Sequence, residues 1–239
     1  MADQPLMELM NLRFAWPGDA HDCLDIAALR VQSGETVFVH GPSGCGKSTL
    51  LSLLAGVLLP QAGRVALLGT NWAELRPAAR DRQRVDHVGY IFQQFNLLPY
   101  LTALDNVLLP CRFSAPRRDA ARRQAGSLHA AAEHWLAGMG LDASVWQRPA
   151  HTLSVGQQQR VAAARALVGG PSLIIADEPT SSLDEDRRDA FLDLLLSACS
   201  TASSALVLVS HDRRIAGRFD RQLSLPEINR AAQGAGALA

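Results

Sequence analysis

Apolar residues along the 239-residue chain fall into two patterns, short unbroken runs and stripes of helical period. Residues 36–40 (TVFVH), 172–176 (SLIIA) and 205–209 (ALVLV) are runs of strand length, as expected for parallel strands buried on both faces. The first run leads into a glycine-rich turn at 41–46 and then a helix over 47–55, closed by Gly56. The second is reached through a helix stop, Gly169-Gly170-Pro171. Each run ends in polar or glycine-rich residues, and in open α/β sheets ligands bind at that end of the strands.

The first 35 residues differ. Extended pieces at 9–14 and 26–31, broken by Pro17-Gly18 and Ser33-Gly34, predict a small antiparallel layer. Between about 96 and 152 the period turns helical, with Leu128, Ala132, Trp135, Leu136 and Met139 on one apolar stripe. This predicts a helical lobe inserted between two strands of the sheet. The Ala/Gly-rich end, 231–239, predicts a frayed tail.

Composition narrows the function. Lys+Arg and Asp+Glu are 23 each, so the net charge is zero and the basic excess of a nucleic-acid binder is missing. Cys23, Cys45, Cys111 and Cys199 form no CxxC pair and read as reduced thiols of a cytosolic protein. The start of the chain has no secretory signal. The longest apolar stretch, 50–59, falls short of the roughly 20 residues that span a bilayer.

Gly41-Pro42-Ser43-Gly44-Cys45-Gly46-Lys47-Ser48, followed by Thr49, fits the phosphate loop G-x-x-x-x-G-K-[ST] between a strand and a helix. Glycines let successive amides turn toward phosphate oxygens, and the helix aims its positive end at them. Lys47 adds a point charge, and the Ser48 hydroxyl suits Mg²⁺. Asp177-Glu178 ends a buried strand, where adjacent carboxylates want partners: Mg²⁺ for the first, an attacking water for the second. An ordinary acidic helix start is the other reading of that pair. Ser154 is a natural N-cap for a helix over 157–168, and Gly156 beside it makes either a second anion site or only a capped helix. Gln93 and His211 each sit at a strand end and claim nothing alone. Cys45 lies beside a helix N-terminus, a place that can lower a thiol pKa, so that nucleotide shields it from alkylation, or else it is only a small residue in a permissive position.

The order of these features carries more than any one of them. Phosphate loop, loop glutamine, Leu153-Ser154-Val155-Gly156-Gln157, a strand ending Asp177-Glu178, then residues 181–184 (SSLD) and a strand-end His211 together resemble the ABC ATPase family over residues 6–225. The resemblance implies an α/β fold: a P-loop NTPase (RecA-like) core with the N-terminal antiparallel β layer and an inserted α-helical subdomain. Its boundaries are then about 1–35 for the layer, 36–95 and 158–225 for the core, 96–157 for the helical part with the signature, and 226–239 for the tail. It implies ATP and Mg²⁺ as cofactors. Lys47 and the amides of 44–48 hold phosphates; Ser48, Gln93 and Asp177 serve the metal; Glu178 polarises water; His211 contacts the γ-phosphate. Trp16 matches an adenine-stacking aromatic, or else is a core aromatic of the β layer. Ser154, Gly156 and Gln157 act on ATP held by a second copy, in a head-to-tail homodimer with Asp184 at the interface. Val155 stands where the family usually has glycine; a β-branched residue predicts ordinary backbone there.

Residues 91–99 (IFQQFNLLP) and 101–107 (LTALDNV) are most similar to the lipoprotein-release and macrolide-export branch of that family. That implies a subunit on the inner face of the plasma (inner) membrane, held there by a permease. The Gln93–Pro110 region is expected to dock it, with Phe95, Leu97, Leu98, Tyr100 and Leu101 either as the docking loop or as packing for the helical lobe. Arg117, Arg118, Arg122 and Arg123 form a solvated helix face, or else a face toward anionic lipid. The alternative function is a soluble ABC ATPase without a permease.

Overall fold

The computed structural model describes residues 4–19, 21–181 and 183–231; Ser182 and the tail beyond 231 lie outside it. The strands and helices of the first half are β1 (Met7–Phe14), β2 (Leu24–Val31), β3 (Thr36–His40), α1 (Lys47–Leu54), β4 (Ala62–Leu67), β5 (Thr70–Asn71), α2 (Pro77–His87) and β6 (Val88–Ile91). Then come α3 (Ala103–Phe113), α4 (Ala115–Ala125), α5 (Leu128–Gly138), α6 (Val155–Leu167), β7 (Leu173–Asp177), α7 (Glu185–Ala202), β8 (Ala205–Val209), β9 (Arg221–Ser224) and α8 (Leu225–Ile228). They form two compact units, one of residues up to Arg84 and from Val207 onward, the other from Val85 to Leu206. Strand β8 begins in the second and ends in the first.

In the first unit β1 pairs antiparallel with both β2 and β4, in the order β2-β1-β4-β5. The predicted antiparallel layer is thus present, and it also recruits residues 62–71. Burial alternates along β1 on either side of an irregularity at Asn11 (φ 49°), with Met7 and Leu9 buried before it and Leu12 and Phe14 after it, the pattern of a sheet covered on one side. Strand β3 runs parallel to β9, Val37 opposite Arg221 and His40 opposite Ser224. Their start is tied by Asp220, which accepts from the Thr36 amide and hydroxyl, both at 2.8 Å. Behind the layer, Trp72 is fully buried and donates its indole N–H to the Leu54 carbonyl at 3.2 Å. Burying such a side chain contributes roughly 1.5–3 kcal/mol.

In the second unit β6 and β7 are parallel, Val88 opposite Leu173 and Ile91 opposite Ala176. The expected helical lobe is three helices, α3 to α5, packed with α6. Of the α5 stripe, Ala132, Trp135, Leu136 and Met139 are buried. Asn106 is fully buried on α3 and satisfies the loop before it, donating to the carbonyls of Leu98 at 3.1 Å and Thr102 at 3.0 Å and accepting from the Leu98 amide at 2.8 Å.

One expectation is corrected here. Arg117 faces neither solvent nor lipid; it is 2% exposed. Its guanidinium donates to the carbonyls of Ala166 (2.8 Å) and Val168 (2.6 and 2.9 Å) at the end of α6. Helix C-termini leave carbonyls without intrahelical partners, and a long cationic stem from the first turn of α4 can reach them. Burial draws this guanidinium down to about 10. Arg122 and Arg123 are exposed as expected. No helix among the described residues is long and apolar enough to cross a membrane.

Candidate functional site

The phosphate loop belongs to the first unit. Strand β3 delivers His40, the loop turns through residues 41–46, and α1 starts at Lys47. The N-cap of α1 is Gly46, at φ 99°, where any other residue is strained. No side chain caps this helix and no acid lies in its first turn. Its leading amides therefore keep their donors, and the dipole its positive end, for an anion. A side chain at Gly41 would come within 2.6 Å of the Cys45 sulfur, so the loop closes on itself there with little room to spare. Lys47 lies back across the loop, its ammonium donating to the carbonyls of Gly41 (2.8 Å) and Pro42 (2.9 Å). Ser48 is exposed beside it, while Thr49 is buried under α1. This is a cradle that phosphate oxygens fit. The Ser210 amide donates to the Val39 carbonyl at 3.2 Å, which brings exposed His211 beside the strand feeding the loop. Trp16 is 44% exposed, edge-on to Phe14 at 5.3 Å, so it is no core aromatic.

The second unit holds the remaining residues. Strand β7 ends at Asp177, and Glu178 follows in the left-handed region, φ 46°. Burial, with the charge of Asp177 adding to it, pushes the Tyr90 hydroxyl well above its usual range, so it stays protonated. Gln93 is exposed in a turn closed by the Phe95 amide on the Phe92 carbonyl at 2.9 Å. Within this unit Gln93 and Asp177 offer amide and carboxylate oxygens, hard donors of the kind that suit Mg²⁺. At α6 the capping box is complete: Ser154 accepts from the Gln157 amide at 3.3 Å, and the Gln157 side chain accepts from the Ser154 amide at 2.9 Å. Val155 is the first helical residue with ordinary backbone, as its β-branch requires, so the helix opens two residues earlier than position 157. Nothing lies within 4 Å of where a Gly156 side chain would stand. The segment borders a cavity of about 560 Å³ whose wall also holds Asp142, Arg160 and Arg187. Asp184 is exposed and caps α7 by accepting from the Arg187 amide at 3.0 Å.

The apolar loop after Gln93 divides. Phe95 is buried and Leu97, Leu98 and Leu101 are partly so, whereas Tyr100 is 72% exposed. Sequence reasoning overlooked Gln159 and Arg165 on α6, whose side chains reach the two turns above. Their signal was polar residues set among the buried alanines and valine of α6.

The ABC transporter family matches residues 24–181. Curated relatives include the lipoprotein-releasing system ATP-binding protein LolD of Hydrogenovibrio crunogenus, 40% identical over 82% of both chains. The protein of that name from Legionella pneumophila is 40% identical over 83% of this chain and 84% of its own. Among solved structures, a dimeric ATP-binding cassette in a post-hydrolysis state with ADP and Pi is 32% identical, with a TM-score of 0.76 over 92% of this chain and 94% of that one. A dimeric structure of a bacterial ABC transporter cassette is equally similar. With a phosphate cradle, a capped signature helix and this match over most of its length, the chain belongs to the ABC transporter ATP-binding family, as an ATP-hydrolysing subunit with the P-loop NTPase fold.

Proposed function

We propose that two copies of this chain sandwich ATP head to tail and so drive a lipoprotein-releasing permease from the inner face of the cytoplasmic membrane. The observation that carries the sandwich is the open space at Gly156: nothing stands within 4 Å of where a side chain on this first-turn glycine would lie, so another copy's phosphate has room to approach the helix start. The lipoprotein-releasing role rests on the relatives at 40% identity or above. Tyr100, exposed next to half-buried Leu98 and Leu101, supports the 93–110 region as the permease's docking place.

In this reading the leading amides of α1 and Lys47 hold the phosphates of ATP, and Trp16 stacks on adenine. Ser48, Gln93 and Asp177 would hold Mg²⁺, which when bound would neutralise charge on the phosphate oxygens. Glu178 orients and polarises a water in line with the γ-phosphorus. His211 contacts the γ-phosphate. Attack forms a new P–O bond and breaks that to the β-phosphate oxygen, releasing ADP and phosphate. Ser154, Gly156 and Gln157 of the second copy close the site. Glu178→Gln keeps binding but removes the water's partner, so with MgATP it should run at doubled mass in size-exclusion chromatography. A strictly monomeric profile for that variant counts against the sandwich.

A further inference from the structure

We propose that α6, besides presenting Ser154 and Gly156, positions the turns carrying Gln93 and Glu178 through the side chains of Arg165 and Gln159, which makes these two positioning residues for hydrolysis. This rests on the roles given above to Gln93 and Glu178.

Both turns are held against local preference. After Gln93 the chain places two successive non-glycine residues in the left-handed region, Phe95 at φ 59° and Asn96 at φ 48°. Asparagine adopts it more readily than most, phenylalanine seldom does, and a consecutive pair persists only where the surroundings impose it. Here one guanidinium imposes it: Arg165 donates Nη2–H to the Phe95 carbonyl and Nη1–H to the Asn96 carbonyl, both at 2.6 Å. Burial draws Arg165 down to about 10, which leaves it charged at neutral pH and its bonds charge-assisted. The other strained turn follows β7. Glu178 lies at φ 46°, and the Pro179 carbonyl accepts from the amide of buried Gln159 at 2.7 Å.

Gln159 and Arg165 sit on one helix, and Arg117 clamps its far end. A rigid helix with two such arms cannot shift without moving both turns. The signature that meets a second copy's nucleotide is therefore mechanically continuous with the residues acting on this copy's own nucleotide.

The test combines amide hydrogen exchange of the nucleotide-free full-length chain with MgATP kinetics. In Arg165→Met, peptides covering 93–98 should exchange about tenfold faster while β7 is unchanged. In Gln159→Met the same acceleration should fall on 178–181. Each variant should lose about tenfold in kcat with KM for ATP held within about twofold, the pattern of lost positioning, not lost binding. Arg165→Lys, a point donor in place of a fork, should fall between. Asn96→Gly favours the left-handed turn by itself at an exposed position, and should restore a good part of the kcat of Arg165→Met, which repair of general stability does not explain. Unchanged exchange at both turns, a uniform rise that includes β7 in Arg165→Lys as well, or loosened turns with wild-type kcat overturns the proposal. Gln93→Ala and Glu178→Gln report separately: wild-type turnover in either, with the turns still loosened by the α6 variants, sinks that side chain's role and leaves the positioning intact.

Discussion

At Gly156 the proposed role turns on a missing side chain. The position is helical and open, so alanine fits and should stabilise the free chain by about 0.5–1 kcal/mol. We expect Gly156→Ala to melt no lower than wild type yet to lose about tenfold or more in ATP turnover; unimpaired turnover would mean that nothing approaches this glycine closely. Asp220 shows residue chemistry of a structural kind. Hydrogen bonds from the Thr36 amide and hydroxyl hold its carboxyl below the ordinary range. A depressed folded pKa contributes stability above the unfolded value of roughly 4, lost as pH falls through the folded value. In Asp220→Asn, Tm should therefore fall less steeply than wild type between about pH 5 and pH 3. Parallel slopes would refute it.

At the scale of elements, α6 and its neighbours decide most of the second unit's geometry. Arg117 satisfies the carbonyls at the end of α6 from inside the protein, and Arg117→Met leaves them buried without donors. The expected loss is on the order of 3 kcal/mol, a drop in Tm of roughly 6–12 °C for a chain of this size. A change under about 2 °C by calorimetry would show that water replaces the guanidinium freely. The N-cap Ser154 was legible in the sequence, because capping is local chemistry, whereas its box partner Gln157 was not. Arg117 was not. Its helix, α4, is highly polar, and only the carbonyl ends that fold up against it distinguish Arg117 from exposed Arg122 and Arg123.

For the whole molecule, nucleotide binding and folding are linked. ATP at about 100 times its Kd should stabilise the chain by about 2.7 kcal/mol. That rise in Tm should largely vanish in Lys47→Ala, and a full ATP-dependent shift in that variant would move the phosphate site elsewhere. The same linkage makes Tm depend on protein concentration in Glu178→Gln with MgATP, since a dimer gains by mass action.

Much of this protein was determined along the chain itself. Buried-strand runs, glycines at the phosphate loop and an N-cap depend on neighbours within a few residues, so β3, β7, β8, the start of α1 and the Ser154 cap of α6 are readable in order. Tertiary structure alone decided that residues 62–71 join the antiparallel layer, that Arg117 is buried, that Trp16 is not, and that Gln159 and Arg165 reach the two left-handed turns. The physical reason is range. Helix caps and strand patterns are set by local backbone chemistry, whereas an unsatisfied carbonyl can be answered by a donor from any distance along the sequence. Only the packed chain shows which side chain answers it.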